Sequence, residues 1–195
     1  MKRTAIIAFI CLMFCAVGVT AKTPSHAEKA EAELYWQNFK RDDNTGFISE
    51  FAALQYLLLA HGMKVKVDGV FGAQTESALK KFQRAHSLKA DGIFDTQTLK
   101  RLVVTVKRGS RGDAVRALQT LLRGADPFFR KNALNKKTRV DGVFGEQTLK
   151  ALHVFQLRYK GEAGELAAGK IQKSGTVRLK TWIALFNTKD FYGAG

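Results

Sequence analysis

Cysteine is nearly missing from this 195-residue chain: Cys11 and Cys15 are its only two, and both fall within the first fifteen positions. No disulfide framework can staple the rest of the chain, and no cysteine-ligated metal can form there. Histidine is also scarce. His26, His61, His86 and His153 stand far apart, none at the helical or paired spacing that a zinc site needs. A nucleophile elbow of the Gly-x-Ser-x-Gly kind is absent, and with no thiol beyond Cys15 the usual routes to covalent catalysis are closed. No metal, cofactor or catalytic residue is expected.

Acidic residues are the next shortage. Seventeen Asp and Glu face 32 Lys and Arg, a formal charge of +15. Such an excess favours polyanionic partners: nucleic acid, anionic lipid surfaces or an anionic cell wall. The N-terminus narrows the choice. Met1-Lys2-Arg3 leads into an apolar run from Ala5 to Val19 that ends in the small residues of Val19-Thr20-Ala21. This pattern predicts a secretory signal over residues 1–21, cut near Ala21, with no membrane anchor left behind. Phe14 before Cys15 disfavours lipid attachment at that cysteine. An exported chain argues against nucleic acid as partner.

What the chain does contain is a repeat. Val67-Asp68-Gly69-Val70-Phe71-Gly72-Ala73-Gln74-Thr75 returns 73 positions later as Val140-Asp141-Gly142-Val143-Phe144-Gly145-Glu146-Gln147-Thr148, with Ala73/Glu146 the one exchange. Phe82-Gln83 pairs with Phe155-Gln156 at the same offset, and Leu54-Gln55 with Leu118-Gln119 at an offset of 64. The turn recurs as Asp91-Gly92-Ile93-Phe94 and, with Asp and Phe lost, as Ser174-Gly175-Thr176-Val177. Each copy therefore reads as helix, turn, helix, turn, helix.

Spacing of apolar residues supports that reading. Val115, Leu118, Leu121 and Leu122 line one face of a helix starting at Asp113 as N-cap and ended by Gly124; Leu54, Leu57 and Leu58 do the same after Ser49, which can cap, and before Gly62. Ala78, Leu79 and Phe82, with Ala151, Leu152 and Phe155, mark the second helices. Leu99, Leu102 and Val103, with Trp182, Leu185 and Phe186, mark the third. Gly72, Gly145 and Asp95 fall at helix starts, and each Asp-Gly supplies a carboxylate for local hydrogen bonds and a residue tolerant of positive φ. An all-α fold of two tandem three-helix bundles follows, over residues 46–104 and 107–187. An N-terminal helical extension (22–45) carries a Ser25/Glu28 capping box and an apolar side of Leu34, Tyr35, Trp36 and Phe39, and a tail covers 188–195. Such small cores predict that the two bundles pack together.

The ordered set of Lys107-Arg108-Gly109, Val115-x-x-Leu118-Gln119, Asp-Gly-x-Phe-Gly-x-x-Thr and Phe-Gln resembles the peptidoglycan-binding domain family of three-helix modules. The resemblance implies non-covalent attachment to bacterial cell wall, often as the targeting arm of a wall hydrolase. It covers most of the chain after residue 45. The first copy departs from it with Asp42-Asp43-Asn44-Thr45-Gly46 in place of the basic turn. The second carries insertions around Asp126 to Lys131 and within Leu157 to Lys173.

Candidate ligand-binding residues are Asp68, Gly69, Phe71, Gly72, Thr75 and Gln83 in the first copy, and Asp141, Gly142, Phe144, Gly145, Thr148 and Gln156 in the second. Phe71 and Phe144 equally suit a core, and Thr75 and Thr148 a helix start. The three turn aspartates each stand alone, unlike the clustered oxygen ligands of a calcium loop. Arg130, Lys131, Lys136 and Lys137 add a basic patch suited to wall carboxylates or phosphates, or merely to a solvated surface. The expected function is a secreted, non-enzymatic protein bound to peptidoglycan or another anionic wall polymer. The alternative is an interaction protein that holds a separate wall hydrolase.

Overall fold

Leucine at 54, 57 and 58, and again 64 positions on at 118, 121 and 122, gives two helices one apolar face each. Among the described elements those two helices make the most extensive mutual packing. The computed structural model describes residues 48–125, 138–162 and 173–187, the side chains of 158–162 excepted. All of these belong to one compact unit, Glu33–Gly195. The expected signal, the Ser25–Lys40 helix, the basic segment with Arg130, Lys131, Lys136 and Lys137, and the tail lie outside the described residues.

In chain order the elements are α1 (Ile48–Ala60), α2 (Ala73–Ala85), α3 (Thr96–Leu102), β1 (Val106–Lys107), α4 (Asp113–Gly124), α5 (Glu146–Glu162), β2 (Thr176–Val177) and α6 (Leu179–Phe186). The helical class expected from the periodicity holds. The sheet is limited to one antiparallel pair, with Val106 opposite Val177 and Lys107 opposite Thr176. Every stripe residue named for α1, α2, α4, α5 and α6 is buried, as are Leu99 and Leu102 of α3; Val103, just after α3, packs half-buried against the core.

The buried apolar side chains from Phe51 to Phe186 form one continuous cluster. Three contacts tie the C-terminal elements to the N-terminal ones. Phe94, before α3, meets Phe186 of α6 edge to face at 5.6 Å. The Trp182 indole, fully buried, donates from Nε1 to the Val104 carbonyl at 2.8 Å. β1, between α3 and α4, pairs with β2 before α6. Burial of a side chain the size of Trp182 contributes roughly 1.5–3 kcal/mol, and its hydrogen bond fixes how α6 lies on the connector.

Helix ends follow the sequence in most places and depart from it in three. Gly62 takes φ +75° and lets the Met63 amide reach back to Leu58 at 3.0 Å, the left-handed stop expected there. Asp95 caps α3 by accepting the Thr98 amide at 2.7 Å, and Gly72 is the N-cap of α2. Asp113, by contrast, is the first helical residue, with Gly112 (φ +103°) as N-cap, and its carboxylate takes Arg116 at 2.7 Å. Ser49 lies inside α1 and donates to Glu50 at 3.0 Å instead of capping. α4 does end at Gly124, but not by a left-handed turn. A Cβ there would fall 2.6 Å from the Ser49 Cβ, so its bare Cα is what lets α1 and α4 approach.

Candidate functional site

A glutamine on an otherwise apolar helix face must find partners for both ends of its amide or be left buried and unsatisfied. Gln55, Gln83, Gln119 and Gln156 are all buried. Each sits next to a core Leu or Phe and ahead of a turn in sequence, and the first three solve the problem identically.

Gln119 is the clearest case. Its Nε2 donates to Asp141 Oδ1 at 2.9 Å, to the Val143 carbonyl at 3.1 Å and toward Thr148 Oγ1 at 3.1 Å, while its Oε1 accepts the Gly142 amide at 2.9 Å. Gln55 repeats this on Asp68 (2.8 Å), Val70 (2.9 Å) and Thr75 (3.0 Å), and its Oε1 accepts the amides of both Asp68 and Gly69. Gln83 repeats it on Asp91 (3.4 Å), Ile93 (2.9 Å), Thr98 (3.1 Å) and Gly92 (2.9 Å). In each turn the same Asp oxygen also accepts the amide two residues on: Val70 at 3.0 Å, Ile93 at 2.9 Å, Val143 at 2.8 Å.

Backbone conformation calls for glycine in these turns, and at Gly69 close packing calls for it too. Gly69 and Gly142 have φ +72° and +77°. A Cβ at Gly69 would lie 2.7 Å from the Ile48 side chain and 2.9 Å from its carbonyl, and one at Gly142 would lie 3.0 Å from the Arg116 guanidinium.

The carboxylates respond to this setting. Gln55, the Val70 amide and Lys66 hold Asp68 below the usual carboxylate range despite some desolvation, and Gln119 with the Val143 amide does the same for Asp141. For Asp91 burial pushes upward, but the Ile93 amide, Lys89 and Gln83 outweigh it and the net shift is down. Groups so arranged are ionised acceptors near neutral pH, suited to holding hydrogen-bond donors and not to donating protons.

The structure thus divides the candidate residues. Phe71, Phe144, Thr75, Thr148, Gln83 and Gln156 are buried, and so are Gly69 and Gly142. Phe71 meets Phe51 edge to face at 5.5 Å. Both threonines and Gln83 direct their polar groups into the turn networks just described. Asp68 and Asp141 are exposed, while Gly72 and Gly145 are half-buried at the starts of α2 and α5. Val70 and Gln74 beside the first turn, and Glu146 and Gln147 beside the third, are exposed as well. Sequence reasoning had not singled these out. The signal that could have revealed the turn-holding role is the glutamine that follows a core Leu or Phe ahead of each turn.

The basic turn before α4 is strapped onto the third turn by backbone bonds. The Gly112 amide donates to Gly142, the Phe144 amide to Ser110 and the Gly109 amide to Phe144, at 2.9–3.0 Å, and Arg108 pairs with Glu146 at 3.3 Å. Lys107, Arg108 and Arg111 are all exposed there. The charge of Arg139 acts on Asp141, as Lys66 pairs with Asp68 at 3.9 Å.

The fourth turn is different. Ser174 stands where the others have Asp. Its Oγ hydrogen-bonds with the Thr176 carbonyl at 3.1 Å, and its amide donates to Gln156 Oε1 at 2.9 Å. Gln156 Nε2 has no hydrogen-bond partner among the described residues.

His61 and His86 pack around Phe82, with ring centroids 4.9 and 4.2 Å from it, and His61 Nε2 donates to the Leu102 carbonyl at 2.8 Å. They close the end of the first three helices. Among the described residues no three His, Cys, Asp or Glu are placed to hold a metal ion, and no helix is long and apolar enough to cross a membrane.

Residues 49–102 match the family model of a putative peptidoglycan binding domain, from the start of α1 to the end of α3. That family is defined by binding and not by catalysis, and its ligand is cell-wall material. No curated protein and no solved structure matches the chain.

Proposed function

We propose that this chain is a secreted, non-catalytic protein that attaches to peptidoglycan through two tandem modules, residues 46–104 and 107–187. The observation that carries the reading is the hydrogen-bond pattern shared by two segments. Residues 49–102 carry the family match, and within them Gln55 holds the Asp68 turn. Gln119 holds the Asp141 turn through the equivalent Asp carboxylate, Val carbonyl, Thr hydroxyl and Gly amide, at nearly the same distances.

Peptidoglycan offers amide and hydroxyl groups along with stem-peptide carboxylates. The outer surfaces of the two turns suit it. Asp68 and Asp141 supply fixed acceptors, the exposed rims around Gln74 and Gln147 supply amides, and Lys66, Lys107, Arg108 and Arg111 supply positive charge. The buried candidates, from Gln83 and Thr75 to Phe144, act by shaping those surfaces. The basic segment with Arg130, Lys131, Lys136 and Lys137 adds long-range attraction to an anionic wall.

The test is sedimentation with purified insoluble peptidoglycan at low and high salt, with soluble muropeptide release followed in the same tubes. Retention without release supports the reading. Release would assign chemistry to the chain, and neither retention nor release would point to a protein partner such as a separate wall hydrolase.

A further inference from the structure

A cleft of about 420 Å³ opens along the seam between α1 and α4. Its walls are Ile48, Ser49, Ala52 and Tyr56 from α1, Thr120, Arg123 and Gly124 from α4, and Val67 and Val140 from the segments entering the first and third turns. The volume lies within the roughly 300–1,000 Å³ of small-ligand sites.

The lining comes from both segments, and two pairs of it are matched. Val67 and Val140 are repeat equivalents, as are Tyr56 and Thr120. One unmatched position changes the charge: the repeat sets Leu59 of α1, packed against the core, against Arg123 of α4, which is exposed and lines the cleft. The cleft consequently has one cationic side. Among the described residues no carboxylate lines it, and none forms an ion pair with Arg123. Thr120 already donates its hydroxyl to the Arg116 carbonyl at 2.8 Å, leaving its oxygen to accept, whereas the Tyr56 hydroxyl has no hydrogen bond to the described residues.

From this we infer that the α1–α4 cleft is a binding site for the carboxylate-bearing end of a short peptide with small side chains, the stem peptide of the wall polymer. The inference rests on the peptidoglycan reading and adds a location and a ligand part to it. The guanidinium of Arg123 takes the carboxylate in a charge-assisted pair. Tyr56 hydrogen-bonds a peptide group, and Ala52, Ile48, Val67 and Val140 receive methyl-sized side chains. Sugar rings fit less well. One tyrosine and four aliphatic residues offer neither the flat stacking surface nor the dense polar lining that a glycan would need.

The experiment titrates the intact protein with three soluble probes: a disaccharide muropeptide with a free stem carboxylate, the same muropeptide with that carboxyl amidated, and the disaccharide without peptide. Arg123→Gln and the cleft-filling Ala52→Trp are titrated alongside, with thermal melts to check folding. The expected result is tenfold or greater weakening of the acidic muropeptide by Arg123→Gln, equal weakening on amidation in the wild type, and no further loss when the two are combined. Any affinity for the disaccharide alone, through the turn surfaces, should be the same in the wild type and in Arg123→Gln. Equal affinity for the acidic and amidated probes, or affinity unchanged in both a folded Arg123→Gln and a folded Ala52→Trp, overturns the site. Sedimentation of the wild type with insoluble peptidoglycan keeps the two failures apart: retention with an insensitive cleft removes only this inference, and no retention removes the peptidoglycan reading with it.

Discussion

Gln156 holds Ser174 with half of its amide: Oε1 accepts the Ser174 amide at 2.9 Å, while the buried Nε2 lacks a partner among the described residues. In the other three turns the corresponding nitrogen reaches an aspartate, a carbonyl and a threonine. A single exchange, Asp to Ser, has removed the strongest acceptor from the fourth turn, and the Ser hydroxyl satisfies Thr176 instead.

That asymmetry predicts unequal costs for the same mutation. Gln119→Leu strands the buried Gly142 amide and removes the donor that holds Asp141, Val143 and Thr148 together, and should destabilise the fold by about 2–3 kcal/mol. Gln156→Leu removes an amide that is already half unsatisfied and should cost at least about 1 kcal/mol less. Urea unfolding of the two variants checks the order; equal costs would mean that Gln156 is fully satisfied in solution, for instance by a buried water.

Restoring the lost acceptor should stabilise. Ser174→Asp offers Gln156 Nε2 a charged partner, a gain of about 1 kcal/mol and a rise in Tm of roughly 2–4 °C. Calorimetry of the variant reads this directly, and Ser174→Asn, which lacks the charge, should gain less.

Acid should loosen the turns in a defined window. The folded pKa values of Asp68, Asp91 and Asp141 lie below their unfolded ones. The stability they confer is fully present above the unfolded carboxylate pKa of about 3.9 and is lost as pH falls through the depressed folded values. Stability measured by urea from pH 6 down to 2 should therefore hold level and then drop below about pH 4. The triple Asp→Asn variant should be less stable at pH 6 and show a shallower drop.

Gly124→Ala should push α1 away from α4, at a cost of about 1–3 kcal/mol, because the added methyl meets Ser49. Ser49→Gly in the same background should recover part of that loss, although Ser49→Gly alone weakens α1. A double-mutant cycle on Tm measures the coupling; strict additivity would mean that the seam relaxes without strain.

How far the sequence could be read depended on which interactions were local. The 3.6-residue stripes placed α1, α2, α4, α5 and α6 within a few residues, and Gly62 and Asp95 marked their helix ends because φ and a capping oxygen are properties of one position. Gln55, Gln83, Gln119 and Gln156 were visible only as parts of a repeat. Their role depends on turns 8 to 22 residues away, a separation that no helical period encodes. Gly124 marked the end of α4 correctly, but its reason was hidden the same way: its neighbour is Ser49, on another helix, so a glycine needed for close packing looked like a left-handed stop. The cleft at Arg123 was equally hidden, because it exists only where two distant segments meet.

The connector between α3 and α4 is itself woven into the fold, with Val106 paired to Val177 and Val104 receiving the Trp182 indole. The interval between the Asp68 and Asp141 turns is accordingly set by packed side chains and not by the reach of a tether. A polymer gripped at both turns would be measured against a fixed pitch: a chain with the right period gains the second grip without the entropy loss of a floppy arm, and one with the wrong period gains nothing from it.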